Sequence, residues 1–125
     1  MDTPFDAADF EATWDRVRHF TGSRWIDASA IEQSMARNAV CLVCPDGVVS
    51  IALEVADSGR MRALVLIAVS TRFAGAFRRN EGHVIEIARS MGAATLAFRS
   101  RRRGWARVLG TNWVCTTGDL WERSI

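Results

Sequence analysis

The chain has 125 residues, of which 49% are hydrophobic and 24% charged, the composition of one globular domain and not of a disordered or collagen-like chain. Its net charge of +2 is unevenly spread: residues 1–57 hold ten acids and four arginines, residues 58–125 four acids and twelve arginines. All the basic residues are Arg and there is no Tyr, which excludes lysine nucleophiles and Schiff bases and removes one common general acid.

The first element is a helix over 6–20, because Phe10, Trp14 and Val17 recur on one face. A second, short helix is expected over Ala28–Arg37. A strand over Ala39–Cys44, the turn Pro45-Asp46-Gly47 and a strand over Val48–Val55 read as a hairpin. Asp57-Ser58-Gly59 is the next turn and leads into a strand over Arg60–Ser70. Its centre, Ala63–Val69, is continuously apolar, which fits a strand covered on both faces. That run is far shorter than the ~20 residues a membrane helix needs.

After Ser70 the period becomes helical. Val84, Ile87, Ala88 and Met91 share a face, and Gly92 follows as the cap. A short strand over Ala94–Phe98 comes next, then a short helix over Arg102–Leu109 ended by Gly110. Two short strands, around Trp113–Thr116 and Leu120–Arg123, close the chain. No repeat or linker divides residues 1–125, so one domain is expected, with a mixed sheet and helices on both faces. MDTPFDAADF has neither a basic n-region nor an apolar h-region, so no secretory signal and a reducing compartment are expected for the three Cys.

The segment Ala63–Val114 carries a family resemblance. An apolar strand ends in Ala68-Val69-Ser70-Thr71, Arg72 and Gly75 follow in an R-x-x-G pattern, and Gly92-Ala93 arrives before the next strand. A short helix and Asn112-Trp113 then stand where the family has a Gly-Phe pair. In these features the chain resembles the GNAT family, the Gcn5-related N-acetyltransferases.

The resemblance implies a GNAT-like α+β fold with a mixed central sheet flanked by helices. It implies acetyl-CoA as the bound coenzyme, with Arg72, Gly75, Ala76 and Phe77 in the loop whose amides hold the pyrophosphate. The strands on either side of the helix would splay, and the pantetheine arm would pair with the exposed edge. Glu54, on the strand before the central one, takes the position of a general base. Three features depart from the pattern. Phe77 stands where Gly or Ala is usual. Asn80-Glu81-Gly82 interrupts the helix a few residues in, and a start as late as Glu81 would take the loop amides away from its N-terminus. Val108 falls near the position of the family's acidic Tyr. The family's first strand is missing or too short to recognise.

Short, degenerate GNAT-like proteins of tailed bacteriophages share this erosion, and Arg103–Leu109 is similar to their C-terminal halves. That subgroup implies a virion-associated or accessory protein with little or no acyl transfer, found in the virion or the host cytoplasm and partnered by an assembly or by its own copies. The alternative is an active acetyl-CoA-dependent N-acetyltransferase. A third class follows from Arg99, Arg101, Arg102, Arg103 and Arg107, the densest basic cluster: an arginine-rich patch for an anion or nucleic acid.

The remaining candidates have plainer readings. Cys41 and Cys44 lie three apart on a strand and so point to opposite faces, and no second pair completes a metal site; none is expected. Glu54 also reads as the solvent-facing residue of a Val/Leu/Ile strand. His83 reads as a surface or cap residue. The spacing of Cys115 argues for no role. Trp105 shares a face with Val108 and Leu109 and reads as core.

Overall fold

A computed structural model describes residues 2–4, 32–34, 36–44, 47–70, 76–101 and 104–125. The described strands are β1 (Asp2–Pro4), β2 (Val40–Cys44), β3 (Gly47–Val55), β4 (Met61–Ser70), β5 (Thr95–Arg99), β6 (Val114–Thr117) and β7 (Leu120–Ser124). Helix α1 (Ala76–Ser90) connects β4 to β5, and α2 (Trp105–Leu109) lies between β5 and β6. Residues 32–34 and 36 are also helical. The expected helix over 6–20 lies outside the described residues.

The seven strands form one sheet in the order β1-β2-β3-β4-β5-β7-β6. Only β4 and β5 run parallel; the other neighbours are antiparallel. The connection through α1 is what a parallel pair requires, since a tight turn cannot join parallel strands. Of the two alternatives for the first strand, missing or too short to recognise, the second holds. Asp2–Pro4 pairs with Val40–Leu42, and it is too short to show a period in the sequence.

Alternation along the strands divides the sheet into two faces. Ile51, Ala63 and Leu96 point to one face, where they pack with Ile85, Ile87 and Ala88 of α1 and with Trp113. Leu64, Ala97 and Leu120 point to the other. The neighbours Ala63 and Leu64 are both buried, on opposite faces, as the continuous apolar run of β4 requires.

The second expected departure is corrected, because α1 starts at Ala76 and runs unbroken through Asn80-Glu81-Gly82. Gly82 is exposed with open space around it, so its cost is the ordinary helix penalty and not a break. The helix ends as its sequence says. Gly92 has φ +89°, its N–H donates to the carbonyl of Arg89, and the Ala93 N–H donates to that of Ala88. This is the paired bonding of a Schellman cap.

On the second face, the helical residues before β2 are tied to the sheet. The Ser34 and Ser50 hydroxyls lie 2.9 Å apart, and both residues are fully buried. A buried hydroxyl is costly without a partner, so this bond fixes where the segment sits.

Candidate active site

The sheet parts at its centre. The β4–β5 register runs from Arg62↔Thr95 to Val65↔Phe98. β4 continues to Ser70, and over Leu66–Ser70 its described pairing is with β3 alone. Its β5-facing backbone edge is therefore open among the described residues.

A bulge sits at the parting. Ser50 pairs with Ile67 and Ile51 with Val65, which leaves Leu66 as the extra residue on β4. A bulge bends its strand and increases the local twist, and this one falls where the pairing of β4 with β5 ends.

The other walls follow from chain direction. The Ala94 N–H donates to the Met61 carbonyl, so α1 delivers the chain to the start of β4. Its N-terminus at Ala76 therefore lies at the open end of the gap, where β4 finishes. The first turn of α1 holds no acid, and its Arg78 and Arg79 are exposed. Cations there oppose the helix dipole, and a bound anion would relieve them.

The β5 wall is braced by aromatic side chains. Phe98 meets Trp105 edge-on with ring centroids 4.9 Å apart, and it meets Trp113 at 5.4 Å. Trp105 Nε1 donates to Ser100 Oγ at 2.8 Å, and Trp113 Nε1 donates to Glu81 Oε1 at 3.1 Å. The same Glu81 oxygen accepts from Arg123 at 2.6 Å. Glu81 thus ties α1 to β7 and to the loop before β6, and Trp105 and Trp113 serve the core.

Glu54 is not at the parting. It pairs with Arg62, three register positions below Val65, about 10 Å along the strand. Nor is it the solvent-facing residue of an alternating strand. Its Oε2 accepts from Arg62 Nε at 2.7 Å and also from the Arg62 Nη2, and its Oε1 accepts from Arg37 at 3.2 Å. Arg62 reaches on to Glu122 at 3.6 Å, and Glu122 accepts from Thr116 at 2.9 Å. Burial pushes the Glu54 carboxyl up, but the hydrogen bonds and charges of Arg62 and then Arg37 outweigh it and hold the carboxyl below the ordinary value. A general base near neutral pH needs the opposite shift, so this environment suits an ion pair. The sequence marked Glu54 but missed Arg62, although the Asp57-Ser58-Gly59 turn sets the register that puts them opposite each other.

The other sequence candidates are distributed as follows. Arg72 and Gly75 lie outside the described residues, and Ala76 and Phe77 are the first residues of α1. Arg99 ends β5 and pairs with Asp119 at 3.8 Å; Arg101 and Arg107 are exposed. Arg102 and Arg103 lie outside the described residues. Val108, near the position of the family's Tyr, is an exposed aliphatic residue. His83 is exposed, and Cys115 is an exposed free thiol 3.6 Å from the Thr117 carbonyl. Among the described residues no group of three or more His, Cys, Asp or Glu is placed to hold a metal, and no helix is long and apolar enough to cross a membrane.

No family model matches the chain, and no curated protein matches it. Among solved structures, it is similar to an acetyltransferase from Trypanosoma brucei at 16% identity and a TM-score of 0.55, covering 94% of this chain and 95% of that one. It is also similar to Naa50 from Arabidopsis thaliana in complex with the bisubstrate analogue CoA-Ac-MVNAL, at 11% identity and a TM-score of 0.58, covering 100% of this chain and 98% of that one. At these identities the likeness is one of fold, and the chain has the GNAT-like α+β fold.

Proposed function

We propose that the chain binds a coenzyme A thioester in the gap between β4 and β5, with acyl transfer to an amine as the reaction this arrangement serves. The observation that carries the reading is the parting of the two parallel strands after Val65 and Phe98, with α1 opening at the same end. An extended amide-containing arm pairs with an open strand edge as another strand would. The helix N-terminus, with Arg78 and Arg79 in its first turn, suits the pyrophosphate. The similar Arabidopsis structure holds a CoA-containing analogue, which agrees with this ligand class.

In the transfer, the amine nitrogen attacks the thioester carbonyl and gives up a proton, and the departing thiolate takes one up. Glu54 is spent on Arg37 and Arg62, so it is assigned structure and not proton transfer. A second reading is favoured by that pairing and by the aliphatic Val108 near the acid's position: a phage-type accessory or virion-associated protein that keeps the fold with little or no transfer.

Calorimetric titration of the full chain with acetyl-CoA separates these readings. Saturable binding that Arg72→Ala weakens supports the coenzyme site, and thiol release in the presence of an amine then identifies the active enzyme. A flat titration at millimolar ligand would remove the coenzyme reading. The accessory reading then requires the chain to sediment as an oligomer or to bind a larger assembly.

A further inference from the structure

The arginine cluster is not absorbed by the coenzyme reading, and the topology explains where it goes. β4 and β5 are parallel, so both finish at the same end of the sheet. Arg99 closes β5 there and Arg101 follows in the connection. The bond from Trp105 Nε1 to Ser100 Oγ folds α2 back onto this end and brings Arg107 with it. Arg78 and Arg79, on the first turn of α1, are assigned above to the pyrophosphate and are not counted in this cluster.

Among the described residues, the acids near this rim are already engaged. Asp119 pairs with Arg99, and Glu81 is held by Arg123 and Trp113. The ion pairs among the described residues do not include Arg101 or Arg107. The described part of the open end therefore carries an excess of positive charge, although the whole chain is only +2. Like charges gathered on one rim repel each other, and a polyanion removes that repulsion.

We infer that this rim binds the phosphate backbone of a nucleic acid, independently of the coenzyme reading. Guanidinium is the cation whose planar fork matches phosphate oxygens two at a time, and the rim uses nothing else. A nucleic acid presents such an anion at every nucleotide, whereas an acidic peptide presents carboxylates irregularly. The described aromatic side chains beside the rim are turned inward: Phe98 packs on Trp105 and Trp113, and Trp105 is bonded to Ser100. Base stacking is thus not supplied by these rings, and the binding is electrostatic and indifferent to sequence.

The test is fluorescence anisotropy of a labelled single-stranded DNA of mixed sequence, and of its duplex, with the full chain across a salt series. Engagement of Arg101 and Arg107, with Arg99 held by Asp119, predicts a log–log slope of about −1.4 on the single strand and about −1.8 on the duplex. The exposed double variant Arg101→Ser, Arg107→Ser should keep the wild-type melting temperature and bring the slope close to zero. Affinity that ignores salt, or that survives the double variant unchanged, would overturn the inference. So would displacement of the DNA by poly-glutamate at equal charge, which would assign the rim to an acidic protein. A flat acetyl-CoA titration would not affect it, so the two readings fail separately.

Discussion

Glu54 on β3 faces Arg62 on β4 directly across the hairpin, and Arg62 donates from Nε to Glu54 Oε2 at 2.7 Å. Arg37 takes the other carboxylate oxygen. The pairing joins the segment before β2 to the central strands and, through Glu122, to β7. It holds the sheet together below the parting and leaves the chemistry of the gap to other groups.

Glu54→Gln is therefore expected to lower stability by about 2 kcal/mol, the worth of hydrogen bonds to a charged partner, while leaving acetyl-CoA affinity unchanged. Denaturant unfolding and calorimetry on the same variant check both halves. A large loss of affinity with normal stability would return Glu54 to the site.

The pH dependence follows with a definite sign. The folded Glu54 carboxyl titrates below its ordinary value, so its stabilisation is complete above the unfolded value of about 4.3 and is lost as pH falls through the lower folded value. Wild type should lose more stability than Glu54→Gln on acidification through that window. Equal losses in the two proteins would contradict the ion-pair assignment.

Gly92 tests the helix cap. Its φ of +89° lies in the left-handed region, and an added Cβ would meet nothing within 4 Å. Gly92→Ala should thus cost about 1 kcal/mol through backbone strain alone. Thermal unfolding measures it, and a loss several times larger would mean that the position is crowded.

Ser34 and Ser50 test how the segment before β2 is anchored. Ser50→Ala should cost about 1–2 kcal/mol, because it removes a partner from a buried hydroxyl. The double variant with Ser34→Ala should cost less than the two single changes together. Strict additivity in a double-mutant cycle would show that the hydroxyls do not interact.

Much of this fold was legible in the sequence, and the reasons are local. The unbroken apolar run Ala63–Val69 marked the central strand because both its faces are covered. Gly92 marked the end of α1 because only a left-handed residue closes that cap easily. The R-x-x-G pattern with Gly92-Ala93 on register led to the GNAT-like fold. What escaped was non-local. Asp2–Pro4 is a strand only because Val40–Leu42 lies beside it. The continuity of α1 through Gly82 comes from packing of Ile85, Ile87 and Ala88, which outweighs one unfavourable residue. Glu54 looked available because a sequence does not show which cation stands opposite.

On the proposed function, the open edge of β4 receives a coenzyme A thioester. Amide hydrogen exchange over Leu66–Ser70, with and without acetyl-CoA, tests it most directly. Exchange there should slow on adding the ligand, together with the first turn of α1, with no change along β7. Unaltered exchange in Leu66–Ser70 at saturating ligand would contradict it.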